Sequence, residues 1–142
     1  MISIVSRKEK EFLGYDSVIL SYSELAGIVD GDIRYEKWRD ALSAVNGIHL
    51  ICDTKYHKQY IGCTYGDRGI LGRWTDYTKT HDGDDLGIRE HLRMHPDAYL
   101  GFRFTILRVL QKPISNEEAT RIESLFKEKL CAWNDKFGLN LN

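Results

Sequence analysis

Arg73 and Tyr77 stand four residues apart and share one face of a helix that opens among Gly66, Gly69 and Gly72. Just before it lie two short apolar runs, Ile48 to Cys52 and Gln59 to Thr64, which read as strands around the polar turn Asp53-Thr54-Lys55-Tyr56-His57. They carry His49 and Tyr60. Much further on, Glu123 and Asn140 complete the set. A guanidinium offers a fork of donors that suits an oxyanion, an imidazole titrates near neutrality, and an unperturbed phenol does so at about pH 10. A carboxylate can hold a hydrated divalent cation. Each residue also has an ordinary structural use. Arg73 can pair with Asp76 or Asp67, Tyr60 can fill a strand core, and Asn140 can be a turn residue after Gly138. Glu123 can pair with Lys127 at i,i+4, an arrangement worth about 0.3 kcal/mol.

The elements that must position these residues follow from periodicity. Residues 1–13 are charged and weakly patterned, a loose arm or a short helix. Ser17 to Tyr22 is a β-branched run that reads as a strand or buried extended segment, and Ser23 can cap a short helix through Ile28. Tyr35, Trp38, Leu42 and Val45 form one helical stripe. After the two strands, the helix bearing Arg73 runs to about Lys79, and Asp82 to Asp85 is a turn. Leu86 to Met94 is a second helix, and Tyr99 to Leu110 alternates as a third strand. Ser115 and Glu118 form a capping box for a long helix to about Trp133. Its apolar stripe is Ala119, Ile122, Leu125, Phe126, Leu130 and Trp133, with Glu123 on the shoulder. The order is β-β-α-α-β-α over residues 46–142, behind an N-terminal, mainly helical extension over 1–45.

A chain of 142 residues is long enough for one domain with a real core. The net charge of −1 argues against binding polyanions by bulk charge, so a nucleic-acid contact has to come from a local patch. Residues 47–112 hold ten Lys or Arg against eight Asp or Glu, together with all five histidines, which is where such a patch would lie. Lys55, Lys58, Arg68, Lys79, Arg89, Arg93 and Lys127 are its candidate phosphate contacts. No apolar run approaches the roughly 20 residues of a membrane span, and the first residues lack a signal-type apolar region. Three scattered cysteines without metal-type spacing suit a reduced, cytoplasmic setting.

The segments GIH (47–49) and YIG (60–62), followed by RWTDY (73–77), by ESLFKEKL (123–130) and by GLN (138–140), resemble the GIY-YIG nuclease family over residues 46–142. YGDRGILGRWTDY and the ending FGLNLN are similar to a bacterial and phage-associated branch with an N-terminal extension of this kind. The resemblance implies an α+β fold, a small three-stranded antiparallel sheet flanked by helices. It also implies endonucleolytic hydrolysis of DNA, with RNA open, dependent on Mg2+ or Mn2+ and leaving 5′-phosphate and 3′-hydroxyl ends. By the same resemblance Glu123 is the metal ligand, Arg73 binds the scissile phosphate, and Tyr60 is the general base. Tyr77 orients the attacking water, and Asn140 supports the site from the C-terminal loop. His49 departs from the family's tyrosine. An imidazole there could hydrogen-bond to the Tyr60 hydroxyl and share the base role, giving activity an inflection in the histidine range. The competing expectation is a weakened or inactive site on a nucleic-acid- or protein-binding module, with His49 marking the loss. A single-site nuclease that cuts both strands acts twice as a monomer or pairs as a homodimer.

Overall fold

The computed structural model describes residues 10–133 and 136–141, so most of the arm expected over residues 1–13 lies outside the described residues. The strands are β1 (Ile19–Ser21), β2 (Asn46–Asp53), β3 (Lys58–Thr64) and β4 (Phe102–Leu110). The helices are α1 (Tyr22–Val29), α2 (Glu36–Ala44), α3 (Gly69–Thr80), α4 (Leu86–Met94) and α5 (Asn116–Lys129). The strands form one antiparallel sheet in the order β1-β4-β2-β3. The mixed α+β class holds, but the sheet has four strands where three were expected. The fourth comes from the N-terminal extension, where Leu20 pairs with Phe104 and points into the core between exposed Ile19 and Ser21. Three residues are too short a stretch for alternation to separate an edge strand from a buried loop.

Several ends also fall elsewhere than expected, for local reasons. Ser21, rather than Ser23, caps α1, in a reciprocal box with Glu24. Helix α5 stops at Lys129, because Cys131 adopts φ 56 and the Ala132 N–H turns back to the Lys127 carbonyl.

The sheet is buried on both faces. On one, Ile51, Tyr60, Phe104 and Ile106 pack with Trp74 and Tyr77 of α3, Leu25 of α1, Trp38 of α2 and Ile88 of α4. On the other, Ile48, Ile61 and Leu110 pack with Ala119 and Ile122 of α5. Strand β4 serves both faces through an irregularity. Its pairing to β2 skips from Arg108 opposite Ile48 to Ile106 opposite His49. The extra residue, Leu107, reverses the parity of the strand beyond it, so Phe104 and Ile106 face α3 while Leu110 faces α5. The bulge lies beside His49, at the heart of the α3 face.

Candidate active site

Strands β2 and β3 meet with His49 directly opposite Gly62 and Ile51 opposite Tyr60. The first pair explains the glycine of the YIG segment. A Cβ on Gly62 would stand 2.6 Å from His49 Nε2 and 3.2 Å from the Tyr60 ring, so any side chain there would drive both rings away. His49 fills that space edge-on to Trp74 and Tyr77, at centroid distances of 6.1 and 6.2 Å. It is fully buried, and neither ring nitrogen has a hydrogen-bond partner among the described residues. The bond expected between His49 and the Tyr60 hydroxyl is therefore not formed. The register accounts for this, since Tyr60 stands opposite Ile51 and its hydroxyl looks toward Tyr77 and Asp85 instead.

Burial first, and the Arg73 charge second, push the His49 pKa down to about 3. An imidazole kept neutral across the physiological range would supply no inflection near neutrality, unlike the ordinary histidine that was expected. It does give stability a pH dependence. Unfolded, His49 takes up a proton near the ordinary value of 6.5, whereas folded it does so only near 3. Between those values the unfolded chain binds the extra proton, so stability is lost as pH falls through that window. The slope from this site reaches at most about 1.4 kcal/mol per pH unit, and above the window the site contributes nothing. Urea unfolding from pH 4 to 8 is expected to show a steeper acid loss for the wild-type protein than for His49→Phe, which keeps the ring without the titration. Equal slopes would sink this account.

Helix α3 presents the cation. Arg73 Nη1 donates to the Gly83 carbonyl at 2.6 Å and Nη2 to the Tyr77 hydroxyl at 3.2 Å. Its guanidinium carbon lies 4.8 Å over the Tyr77 ring. Asp76 approaches at 3.8 Å, and the Arg73 side chain is 30% exposed, so the guanidinium is anchored yet reachable. Tyr77 is fully buried, and burial raises its pKa although Arg73 opposes the shift. Burial, with Tyr77 and Asp85 adding to it, lifts Tyr60 above the ordinary tyrosine range. Neither phenol ionises readily by itself.

Asp85, which in the sequence looks like no more than the end of a turn, joins this group. Its Oδ1 caps α4 by accepting the Ile88 N–H at 3.0 Å. The same carboxylate lies near enough to help raise the Tyr60 pKa, and its charge also acts on Tyr77, Arg73 and Glu123. An Asp just before an apolar-periodic run is a cap signal that could have singled it out. Nothing local could have placed it beside Tyr60.

Asn140 holds the strand that carries Tyr60. Its Oδ1 accepts the Ile61 N–H at 2.9 Å and its Nδ2 donates to the Ile61 carbonyl at 2.8 Å. The flanking tail continues this pairing, with Gln59 N–H on the Phe137 carbonyl at 2.6 Å and Leu139 N–H on the Gln59 carbonyl at 2.7 Å. Strand β3 is the sheet edge, so the tail covers backbone groups that would otherwise be open.

Glu123 approaches from elsewhere. It lies on α5, which packs on the other face of the sheet, close enough to Cys63 to help raise the thiol's pKa to about 12 after burial. Its carboxylate is 3.7 Å from Lys127 Nζ. Burial raises the Glu123 pKa, Lys127 offsets part of that, and Asp85 adds to it. The structure thus gathers His49, Tyr60, Arg73 and Tyr77 on one face, ties Asn140 to them through the β3 backbone, and sets Glu123 over β3 on the opposite face. No family model matches this chain, and neither does any curated protein or solved structure.

A groove of about 480 Å³ opens beside the cluster, lined by residues 63–69 together with Gly72, Arg73 and Asp76. Arg68 shares it with Arg73. Four of the other basic candidates are differently engaged. Arg89 pairs with Asp82 and Asp84, Arg93 with Glu90, and Lys58 donates to the Lys136 carbonyl. Lys127 is only 6% exposed, which removes it from the accessible surface. Among the described residues, no helix is long and apolar enough to cross a membrane.

Proposed function

We propose that this chain is a divalent-metal-dependent endonuclease that hydrolyses DNA phosphodiester bonds to 5′-phosphate and 3′-hydroxyl ends. The observation that carries the reading is the convergence of Tyr60, Arg73 and Tyr77, from a strand and a helix, beside a groove into which an anchored guanidinium opens. Arg73 takes the non-bridging oxygens of the phosphate with the donors that Gly83 and Tyr77 leave over. Tyr60 and Tyr77 hold the attacking water. Because burial keeps Tyr60 protonated, its hydroxyl works as a relay: the water's proton moves to the phenol oxygen as the phenol's own proton passes to Asp85. The water oxygen bonds to phosphorus, the bond to the 3′ oxygen breaks, and that oxygen leaves as a hydroxyl after protonation by solvent.

Among the described residues no group of three or more ligating side chains stands together. Glu123 as a lone hard carboxylate, with Asp85 near enough to act on it, fits Mg2+, which keeps most of its waters. Bound there, the ion would supply charge stabilisation to the phosphate oxygens.

The test is incubation of supercoiled plasmid, single-stranded DNA and RNA with Mg2+ or Mn2+, beside Glu123→Ala. Metal-dependent cutting of DNA that falls at least a hundredfold in the variant is expected. The second reading, a binding module without catalysis, draws on the engagement of Glu123 by Lys127 and on the buried, unbonded His49. Salt-sensitive DNA binding with no cutting of any of the three substrates would favour it.

A further inference from the structure

Arg68, the residue before α3, folds back over the first turn of that helix, and its Nη2 donates to the Gly72 carbonyl at 3.1 Å. Gly72 makes room for this pose. A Cβ there would stand 2.6 Å from the Arg68 Cβ and 2.9 Å from its Nε. Asp76, four residues beyond Gly72, lies on the same face of the helix. Its Oδ1 is 3.8 Å from Arg68 Nη2, and its Oδ2 is 3.8 Å from Arg73 Nη1. One carboxylate therefore stands between two guanidinium groups and turns one oxygen to each.

At 3.8 Å neither contact is a hydrogen bond, so the carboxylate acts as a shared counter-ion and sets the direction of neither group. Neutral oxygens fix the two cations instead. The Gly72 carbonyl holds Arg68, and the Gly83 carbonyl and Tyr77 hydroxyl hold Arg73. Those bonds use a minority of the N–H donors that each guanidinium carries, so both keep donors for an anion. Arg68, Arg73 and Asp76 line one groove, and the Arg68 and Asp76 side chains are 68% and 46% exposed. Asp67 lines it as well, without an ion pair to either arginine among the described residues. The formal charges of this lining cancel, so the case for an anion rests on geometry and not on bulk attraction. A phosphodiester presents two non-bridging oxygens on one phosphorus, much as a carboxylate presents two on one carbon.

We propose that Arg68 and Arg73 clamp a single phosphate between them, one non-bridging oxygen to each, and that Asp76 occupies this place in the free protein. Asp76 is exposed enough to turn into solvent when the phosphate arrives. Arg68 is then a second phosphate-binding residue, and Asp76 is a built-in competitor that weakens the grip of the site on anions. That the phosphate is the scissile one of a nucleic acid rests on the nuclease reading, in which Arg73 binds it. The clamp itself rests on the placement of the two guanidinium groups about one carboxylate.

The experiment titrates the isotopically labelled full chain with thymidylyl-thymidine, which carries one phosphodiester and no other phosphate, and follows the Nε–H signals of Arg68 and Arg73. Both signals are expected to move with one midpoint. Arg68→Gln should weaken binding about tenfold. Asp76→Asn, which keeps the shape and removes the competing charge, should strengthen it about threefold. Gly72→Ala keeps both arginines but fills the space that Arg68 needs, and should weaken binding about as much as Arg68→Gln. A helix interior accepts alanine better than glycine, and amide spectra of each variant check the fold. Plasmid cleavage should follow the same order, at least tenfold slower in Arg68→Gln and no slower than wild type in Asp76→Asn. Movement of neither signal would overturn the clamp, as would movement of Arg73 alone with Arg68 joining only when a trinucleotide brings a second phosphate. Unchanged binding in Arg68→Gln or Gly72→Ala, or weaker binding in Asp76→Asn, would also overturn it. The expected binding pattern without cutting of any nucleic acid would uphold the clamp and sink the nuclease reading. DNA cutting that Arg68→Gln leaves at the wild-type rate would sink the clamp and leave that reading standing.

Discussion

Replacing Arg73 with alanine is expected to lower the rate of DNA cleavage by about a thousandfold, the scale on which phosphate-clamping donors act. The size follows from the way the side chain is held. Two of its donors are committed to the Gly83 carbonyl and the Tyr77 hydroxyl, which fix the plane of the guanidinium before any substrate arrives. No reorganisation is then needed as charge develops on the phosphate. Lysine should not rescue the loss. A single ammonium cannot hold both anchors and still present a planar fork to the two phosphate oxygens. The cost to the fold should be about 2 kcal/mol, because truncation takes a donor away from the buried Gly83 carbonyl and the fully buried Tyr77 hydroxyl. Single-turnover cleavage of supercoiled plasmid, measured beside urea unfolding, separates the two effects. Activity within tenfold of wild type would remove Arg73 from the reaction.

Asn140→Ala should be the most damaging substitution in the C-terminal tail, with a loss of about 2 to 4 kcal/mol in unfolding free energy. The residue is 4% exposed and satisfies both backbone groups of Ile61, between Tyr60 and Gly62. Its truncation leaves a buried N–H and a buried carbonyl without partners, and two such vacancies cost more than the bonds themselves. Asn140→Asp is the sharper probe. It keeps an acceptor for the Ile61 N–H and sets a second carboxylate oxygen against the Ile61 carbonyl, so it should be nearly as destabilising as alanine. Amide exchange at Ile61 should rise in both variants more than at Ile48, which lies on the adjacent strand β2. Ile61 protection unchanged in Asn140→Ala would mean that the tail does not hold the edge strand.

Much of this was legible because local rules are strong where the chain is regular. Helix α4 falls on the expected Leu86 to Met94, and β2 and β3 extend the expected strands by one or two residues at an end. Hydrophobic period and turn chemistry act over a few neighbouring residues, and those residues are all in view. The spacing of Arg73 and Tyr77 on one helix face was equally readable, since 3.6 residues per turn leave no alternative. The pairing of the Ser17 to Tyr22 run to the sheet as a fourth strand, the bulge at Leu107 and the early stop of α5 were not readable in this way. Each depends on a partner distant in the chain or on one residue taking an unusual φ.

Residue types and their order, by themselves, determined that a guanidinium, two phenols and an imidazole would be carried on adjoining strands and a helix. Only the tertiary structure decided what those groups are. It buried His49 without a partner and so kept it neutral, because desolvation disfavours the imidazolium. It turned Tyr60 from a free base into a buried, protonated hydroxyl near Asp85, a residue twenty-five positions further along the chain. It also set Glu123 on the far face of the sheet, beyond the edge strand that Asn140 holds in place. Spacing along a chain fixes which side chains share a face, but the dielectric around a group and the identity of its neighbours arise only when distant segments pack together.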